Sequence, residues 1–389
     1  MNRRTFLKTG LGCLGASLPP LSIAAEVLAS SPKNNSFDKD ELRAVEDLAK
    51  RYMRRYNVPG LSLAITKEGA LVYNQAFGFA DQKEQEPLTQ QHRFRIASLS
   101  KPITSVCIFK LVELGKLNLS DKVFGKVGIL TDRFKKVRKN YNLEQVTIQY
   151  LLTHMVGGWG NDVDDPMFSN NKMDHDELIY WTLENRRLKK SPGYKFKYSN
   201  FGYCLLGRVI EEITKKSYQD AVGELVFQPC GMTSCDLAGN TLAERKPIEV
   251  VYSDQNGYDP YGFNFRRMDS HGGWISTSQD LARFLVHVDG FQTKNDILNL
   301  ETIKTMTTSN SPGYAMGWCV NNNNNWWHGG NLQGSLSFMV RSNNGLCMVA
   351  LINSRRVNSS MEEELDKLTW DMVGQFKKWP SNDLFSYSN

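Results

Sequence analysis

The sequence predicts an α/β fold in which the two ends of the chain meet in one sheet and a helical lobe is inserted between them. Three observations predict it. Strand-like segments lie near the N-terminus and again near the C-terminus, the middle is helical and loop-rich, and the chain has 389 residues. That length exceeds the size at which one hydrophobic core usually stops growing. The expected division is a discontinuous sheet domain, 38–97 with 266–379, a mostly helical domain, 98–265, and a tail, 380–389.

The elements follow in order. Leu42, Val45, Ala49 and Tyr52 recur at helical spacing, so 38–56 reads as an amphipathic helix, with Asp38 and Glu41 spaced as a capping box. Val58-Pro59-Gly60 ends it. The apolar runs 61–65 and 71–77, separated by Lys67-Glu68-Gly69, form a hairpin. Residues 98–114 read as a helix stopped at Gly115. From 116 to 265 the signal is helices and loops: Thr147 precedes an apolar turn, 202–226 repeats at helical spacing, and 157–173 has no period. Thr277 or Ser278 caps a helix through Leu281, Phe284 and Leu285. Residues 316–320, 334–340 and 346–352 are strands, with Asn321 to Asn325 a hairpin loop. A last helix, 361–379, has an acidic start and a basic end, matching the helix dipole.

The first residues, Met1-Asn2-Arg3-Arg4-Thr5-Phe6-Leu7-Lys8, precede a mildly apolar stretch rich in Gly, Ala and Ser. Small residues suited to cleavage follow at Ser22-Ile23-Ala24 and at Ala29. Residues 1–29 are therefore expected to be an export signal, and the paired arginines point to the twin-arginine export machinery and a periplasmic or secreted protein. Cys13 lacks the setting for a lipid anchor. No later stretch approaches 18 nearly uncharged apolar residues, so no spanning segment is expected after processing. Lys plus Arg number 47 against 41 Asp plus Glu, and the excess is scattered, which argues against nucleic acid as a partner. With 41% apolar residues, a disordered chain is excluded.

Cys107, Cys204, Cys230, Cys235, Cys319 and Cys347 remain after processing, most inside apolar runs, as small buried hydrophobes do. Cys230 and Cys235 could bridge in an oxidising compartment. The histidines show no metal-ligand spacing. Asp162, Asp164, Asp165, Asp174 and Asp176, near His175, read as a solvated loop. Neither metal nor cofactor is expected.

Three segments carry chemistry. In Ser98-Leu99-Ser100-Lys101, Ser98 and Lys101 are three apart and share a helical face at a loop-to-helix junction. An amine held against a hydroxyl can take its proton when burial or a neighbouring cation depresses the amine pKa. In Tyr198-Ser199-Asn200, a tyrosine near ammonium groups could be partly phenolate and relay protons, and Asn200 offers a donor and an acceptor to a substrate amide or to Lys101. In His328-Gly329-Gly330-Asn331, the glycines let a backbone run beside a ligand. There the Asn331 amide could pair with that of Ser98 as an oxyanion hole, and His328 could orient Tyr198 or contact substrate. His271-Gly272-Gly273 reads as a tight structural approach.

Together these ordered motifs resemble the serine beta-lactamase and penicillin-binding-protein superfamily, especially its class C-like branch of esterases, D-aminopeptidases and D-Ala-D-Ala carboxypeptidases. The resemblance runs from about 42 to 352. It rests on Phe94-Arg95-Ile96-Ala97-Ser98-Leu99-Ser100-Lys101, Leu151-Leu152-Thr153-His154, Pro192-Gly193 through Tyr198-Ser199-Asn200-Phe201-Gly202-Tyr203, Gly272-Gly273-Trp274-Ile275-Ser276-Thr277, and His328-Gly329-Gly330. It implies a beta-lactamase/transpeptidase-like α/β fold, a central antiparallel sheet flanked by helices. It also implies Ser98 as acyl-enzyme nucleophile, Lys101 as its base, and Tyr198 as second base and leaving-group acid. Asn200, His328 and Gly330 would bind or orient substrate, and the Ser98 and Asn331 amides would hold the oxyanion. Two departures stand out. His328 occupies the place of the lysine in the Lys-Thr-Gly or Lys-Ser-Gly of class C beta-lactamases, and a neutral imidazole is a weaker carboxylate partner. Met155-Val156-Gly157-Gly158-Trp159 replaces the common Thr-Ser-Gly, and His154 is read as structural. The expected function is a serine hydrolase acting on a small ester or amide, D-amino-acid and peptidoglycan-like peptides included. The alternatives are a beta-lactamase or D-Ala-D-Ala carboxypeptidase, and a slow-turnover cell-wall-binding or penicillin-sensing protein. The site would lie between the helical side, which supplies Ser98 and Tyr198, and the sheet side, which supplies His328.

Overall fold

The computed structural model describes residues 37–387 apart from 139, 163–164 and 310–312; the expected export signal, 1–29, lies outside the described residues. Its centre is a seven-stranded antiparallel sheet in the order Glu86–Pro87, Ala70–Asp81, Gly60–Lys67, Leu346–Ile352, Ser335–Arg341, Trp326–Leu332, Cys319–Val320. Strands from early and late in the sequence meet at its middle, where Leu61 faces Ile352 and Lys67 faces Leu346. Successive strand residues point to opposite faces. Met348, Ala350 and Ile352 pack under the helices Lys39–Tyr56 and Met361–Val373. Cys347, Val349 and Leu351 join the core built with Ser100–Glu113, Asn200–Thr214 and Ser278–Val286. Covered on both faces, the Leu346–Ile352 strand is apolar throughout instead of alternating. This is the expected α/β architecture, a central antiparallel sheet flanked by helices. No helix among the described residues is long and apolar enough to cross a membrane.

Local expectations hold where caps and periodicity agree. Thr277 accepts from a backbone amide inside the helix it precedes, as expected, and the structure shows Thr147 doing the same. Elsewhere the structure differs. Asp38 caps the first helix, but the Glu41 carboxylate takes the Lys377 amide, so only one half of the expected capping box is in place. The 202–226 run breaks after Thr214, where Lys215 turns left-handed at φ 58°, and resumes as separate turns at Tyr218–Val222 and Gly223–Phe227. The last helix ends at Val373, before the lysines expected to finish it. Of 316–320 only Cys319–Val320 is strand, whereas Trp326–Leu332, whose two glycines mask its β character, is a full strand. The six described cysteines are free; Cys230 and Cys235 are not bridged, and Cys235 Sγ lies 3.3 Å from Ser276 Oγ.

Candidate active site

Two β layers clamp the segment that carries Ser98. Phe94–Arg95 pairs with Trp274–Ser276, and the Ser335 and Ser337 hydroxyls of the main sheet donate to the carbonyls of Arg95 and Ile96 at 2.9 and 2.7 Å. The Arg95 guanidinium is buried 3.7 Å from the Phe265 ring centroid and 4.3 Å from that of Tyr252, with Glu249 3.8 Å away. Ala97 is forced into the left-handed region at φ 49°, which costs energy in a residue with a Cβ. The chain then makes one 3₁₀ turn, Ala97–Leu99, before the α-helix Ser100–Glu113. Ser98 therefore stands on a constrained turn and not on the helix itself, as 98–114 had suggested.

Lys101, one turn on, is fully buried. Its Nζ lies 2.9 Å from Ser98 Oγ, 2.7 Å from Asn200 Oδ1 and 2.9 Å from the His271 carbonyl oxygen. Burial pulls its pKa down to about 7, against the opposing pull of Asp165. Two of the three partners, the amide and carbonyl oxygens, can only accept. A neutral Lys101 amine must therefore spend both its protons on Asn200 and His271, and its lone pair faces Ser98 Oγ. His271 was expected only as a tight approach. Gly273 does pass within 2.7 Å of the Phe265 carbonyl at its would-be Cβ, but the histidine backbone is also a direct partner of the lysine.

Tyr198 lies over the same lysine, with Nζ 4.8 Å from the ring centroid, and its hydroxyl bonds the Ser98 side chain. Burial raises its pKa above the ordinary value, so it is a phenol and not the partial phenolate its neighbourhood suggested. The Ser199 hydroxyl caps the Asn200–Thr214 helix by accepting from the Gly202 amide, while the Ser199 amide donates to His154 Nδ1 at 3.1 Å. His154 is buried against Tyr198, ring centroids 4.3 Å apart, and burial holds it neutral. Asn200 Nδ2 donates to Asp165 Oδ2 at 2.6 Å. Asp165 is thus not part of a solvated acidic loop, and His175 lies against Asp269 at 3.4 Å.

His328, Gly330 and Asn331 lie on the Trp326–Leu332 strand. His328 does not bond Tyr198. Its Nδ1 donates to the Gly329 carbonyl at 2.6 Å, and its Nε2 accepts from the Tyr314 hydroxyl at 3.2 Å. Burial draws its pKa down to about 3, so it carries no charge near neutrality. A Cβ on Gly330 would sit 2.5 Å from the Ile96 carbonyl and 3.0 Å from the Ser98 nitrogen, so only glycine lets the strand run this close to the Ser98 turn. The Asn331 side chain donates to Glu362 at 3.1 Å.

Ser98, Tyr198, Asn200, His328 and Asn331 open into one cavity of about 770 Å³. The charged side chains lining it are Arg355, Glu362, Glu363 and Asp366. All three acids come from the first turns of the C-terminal helix, which the motif reading did not connect with the site.

The fold is that of a known class. The Beta-lactamase family model matches residues 45–368, and the chain belongs to that family. Protein flp of Staphylococcus aureus (strain MRSA252) is 26% identical over 336 residues, 83% of this chain; the chain spans 65% of that relative's length. The octameric penicillin-binding protein homologue from Pyrococcus abyssi superposes with a TM-score of 0.71 at 24% identity, over 88% of this chain and 79% of that one. D-amino acid amidase from Ochrobactrum anthropi SV3 gives 0.71 at 24% identity, over 86% and 98%. At these identities the structural likeness is one of fold.

Proposed function

We propose that this protein is a serine hydrolase that opens small esters or amides through an acyl-enzyme on Ser98. The observation carrying this reading is the Lys101 Nζ to Ser98 Oγ approach of 2.9 Å, with the other two lysine contacts made to oxygens that only accept. In the proposed acylation, neutral Lys101 removes the Ser98 proton as Oγ attacks the carbonyl. Tyr198 gives its phenolic proton to the leaving group and regains one from Lys101. The backbone amides of Ser98 and Asn331 hold the oxyanion. Water then attacks the acyl-enzyme; Tyr198 takes its proton while passing its own to Lys101, and Lys101 returns one to Ser98 Oγ as the acyl bond breaks, releasing the acid and free Ser98. Asn200, His328 and Gly330 shape the pocket for the substrate.

The cavity lining favours substrates bearing an amine over carboxylated ones. It carries three carboxylates against one guanidinium, and His328 is neutral. A beta-lactam carboxylate would find little attraction there. An amide or ester of an amino acid with a free ammonium fits better, in keeping with the likeness to D-amino acid amidase. Residues 1–29 serve as an export signal in this proposal, with the protein working in the periplasm. Turnover of a p-nitrophenyl ester, a D-amino-acid amide and nitrocefin tests the reading. Hydrolysis of the first two with little of the third supports it; nitrocefin as the fastest substrate favours the beta-lactamase alternative. Rapid acylation by penicillin without release favours a sensing protein.

A further inference from the structure

We infer that Asp165 is a positioning residue that fixes which way the Asn200 amide points and, through it, which way the Lys101 lone pair points; this rests on the hydrolase reading above. An asparagine side chain can present either its oxygen or its NH₂ to a neighbour. Here the choice is made by Asp165. Its Oδ1 accepts from the Met167 amide at 2.9 Å, capping the Pro166–Phe168 turn, and its Oδ2 accepts from Asn200 Nδ2 at 2.6 Å. A carboxylate has no proton to give, so Asn200 must turn its NH₂ toward Asp165 and its oxygen toward Lys101, 2.7 Å away. Were Asn200 reversed, its NH₂ would meet Lys101, and the amine lone pair would accept from that group instead of from Ser98.

Among the described residues, Asp165 is the anionic neighbour of Lys101. Tyr198, Tyr203, His154, His271 and His328 are held neutral by burial, and Arg186 acts on Asp165 itself. Asp165 holds the lysine pKa up against burial. Loss of its charge therefore lets that pKa fall and moves the acid limb of kcat/KM to lower pH.

Asp165→Asn is the informative variant. Its single oxygen stays with the Met167 amide, and its NH₂ then faces Asn200 and reverses it. The expected result is a fall of about 10–100-fold in kcat/KM for a p-nitrophenyl ester, an acid limb at lower pH, and a melting temperature near that of the native protein. Asp165→Glu, which restores two accepting oxygens, should recover the native acid limb. Asp165→Ala removes the anchor without adding a donor and gives the same pH readout if Asp165→Asn folds poorly. A native acid limb in both Asp165→Asn and Asp165→Ala would overturn the inference and leave Asp165 a turn cap only. Ser98 acylation of the native protein, followed by intact mass, is measured first. Its absence overturns the hydrolase reading, and this inference with it; its presence with unchanged variant profiles overturns this inference alone.

Discussion

Lys101 Nζ sits 2.9 Å from Ser98 Oγ, and its other two hydrogen-bond partners among the described residues are oxygens that cannot donate to it. The pair is thus arranged for the serine proton to pass to the amine once the amine is neutral. With the lysine pKa pulled to about 7 by burial, the neutral form is gained as pH rises through that value. Acylation rate should therefore climb about tenfold per pH unit below 7 and level off above it. His328 adds no limb between pH 5 and 9, because its own pKa lies near 3. Stopped-flow acylation by a p-nitrophenyl ester from pH 5 to 9 measures this.

Tyr198 is half-buried, neutral and bonded to Ser98. Tyr198→Phe should lower kcat about 10²–10⁴-fold, with the larger loss on amides, whose leaving group needs a proton more than p-nitrophenolate does. Steady-state rates on a matched amide and ester pair give the ratio.

Gly330 lets the sheet edge touch the Ser98 turn. Gly330→Ala places a Cβ 2.3 Å from Ser337 Oγ and 2.5 Å from a backbone carbonyl. The variant should lose about 1–3 kcal/mol of stability and acylate at least tenfold more slowly. Denaturant unfolding and acylation kinetics separate the two effects.

Glu362 lines the cavity and accepts from Asn331. Glu362→Gln should raise KM for an amino-acid amide with a free ammonium about 3–10-fold and leave a neutral ester unaffected. Added salt should narrow that difference. Equal effects on both substrates would remove the cavity charge from the account of specificity.

Arg95, on the strand that leads to Ser98, and Glu249 are both buried and lie 3.8 Å apart. Glu249→Ala strands a buried guanidinium and should cost about 3–5 kcal/mol, read as a lower denaturant midpoint.

Much of this was legible in the sequence because the informative signals are local. The cap at Thr277, the helical spacing of Val45, Ala49 and Tyr52, and the hairpin around Gly69 depend on neighbours in the chain. The motif residues Ser98, Lys101, Tyr198 and Asn200 were likewise marked by spacing and order. What stayed hidden depends on burial and on backbone atoms. Asp165 sits in a polar run that reads as solvated, and only tertiary packing makes its carboxylate the anchor of Asn200. The His271 carbonyl carries no side-chain signature. The phenol state of Tyr198 follows from burial outweighing its hydrogen bond to Ser98, a balance that composition does not reveal. The strand holding His328 was masked by its own glycines, which weaken strand propensity while permitting the approach to Ser98.

The central claim is a covalent acyl-enzyme on Ser98, and intact-mass spectrometry with peptide mapping after brief exposure to a reactive ester tests it most directly. The account predicts one acyl group per chain, on the peptide containing Ser98, absent from Ser98→Ala and slow to form in Lys101→Ala. An adduct on another residue, or ester hydrolysis by Ser98→Ala at the native rate, would contradict it.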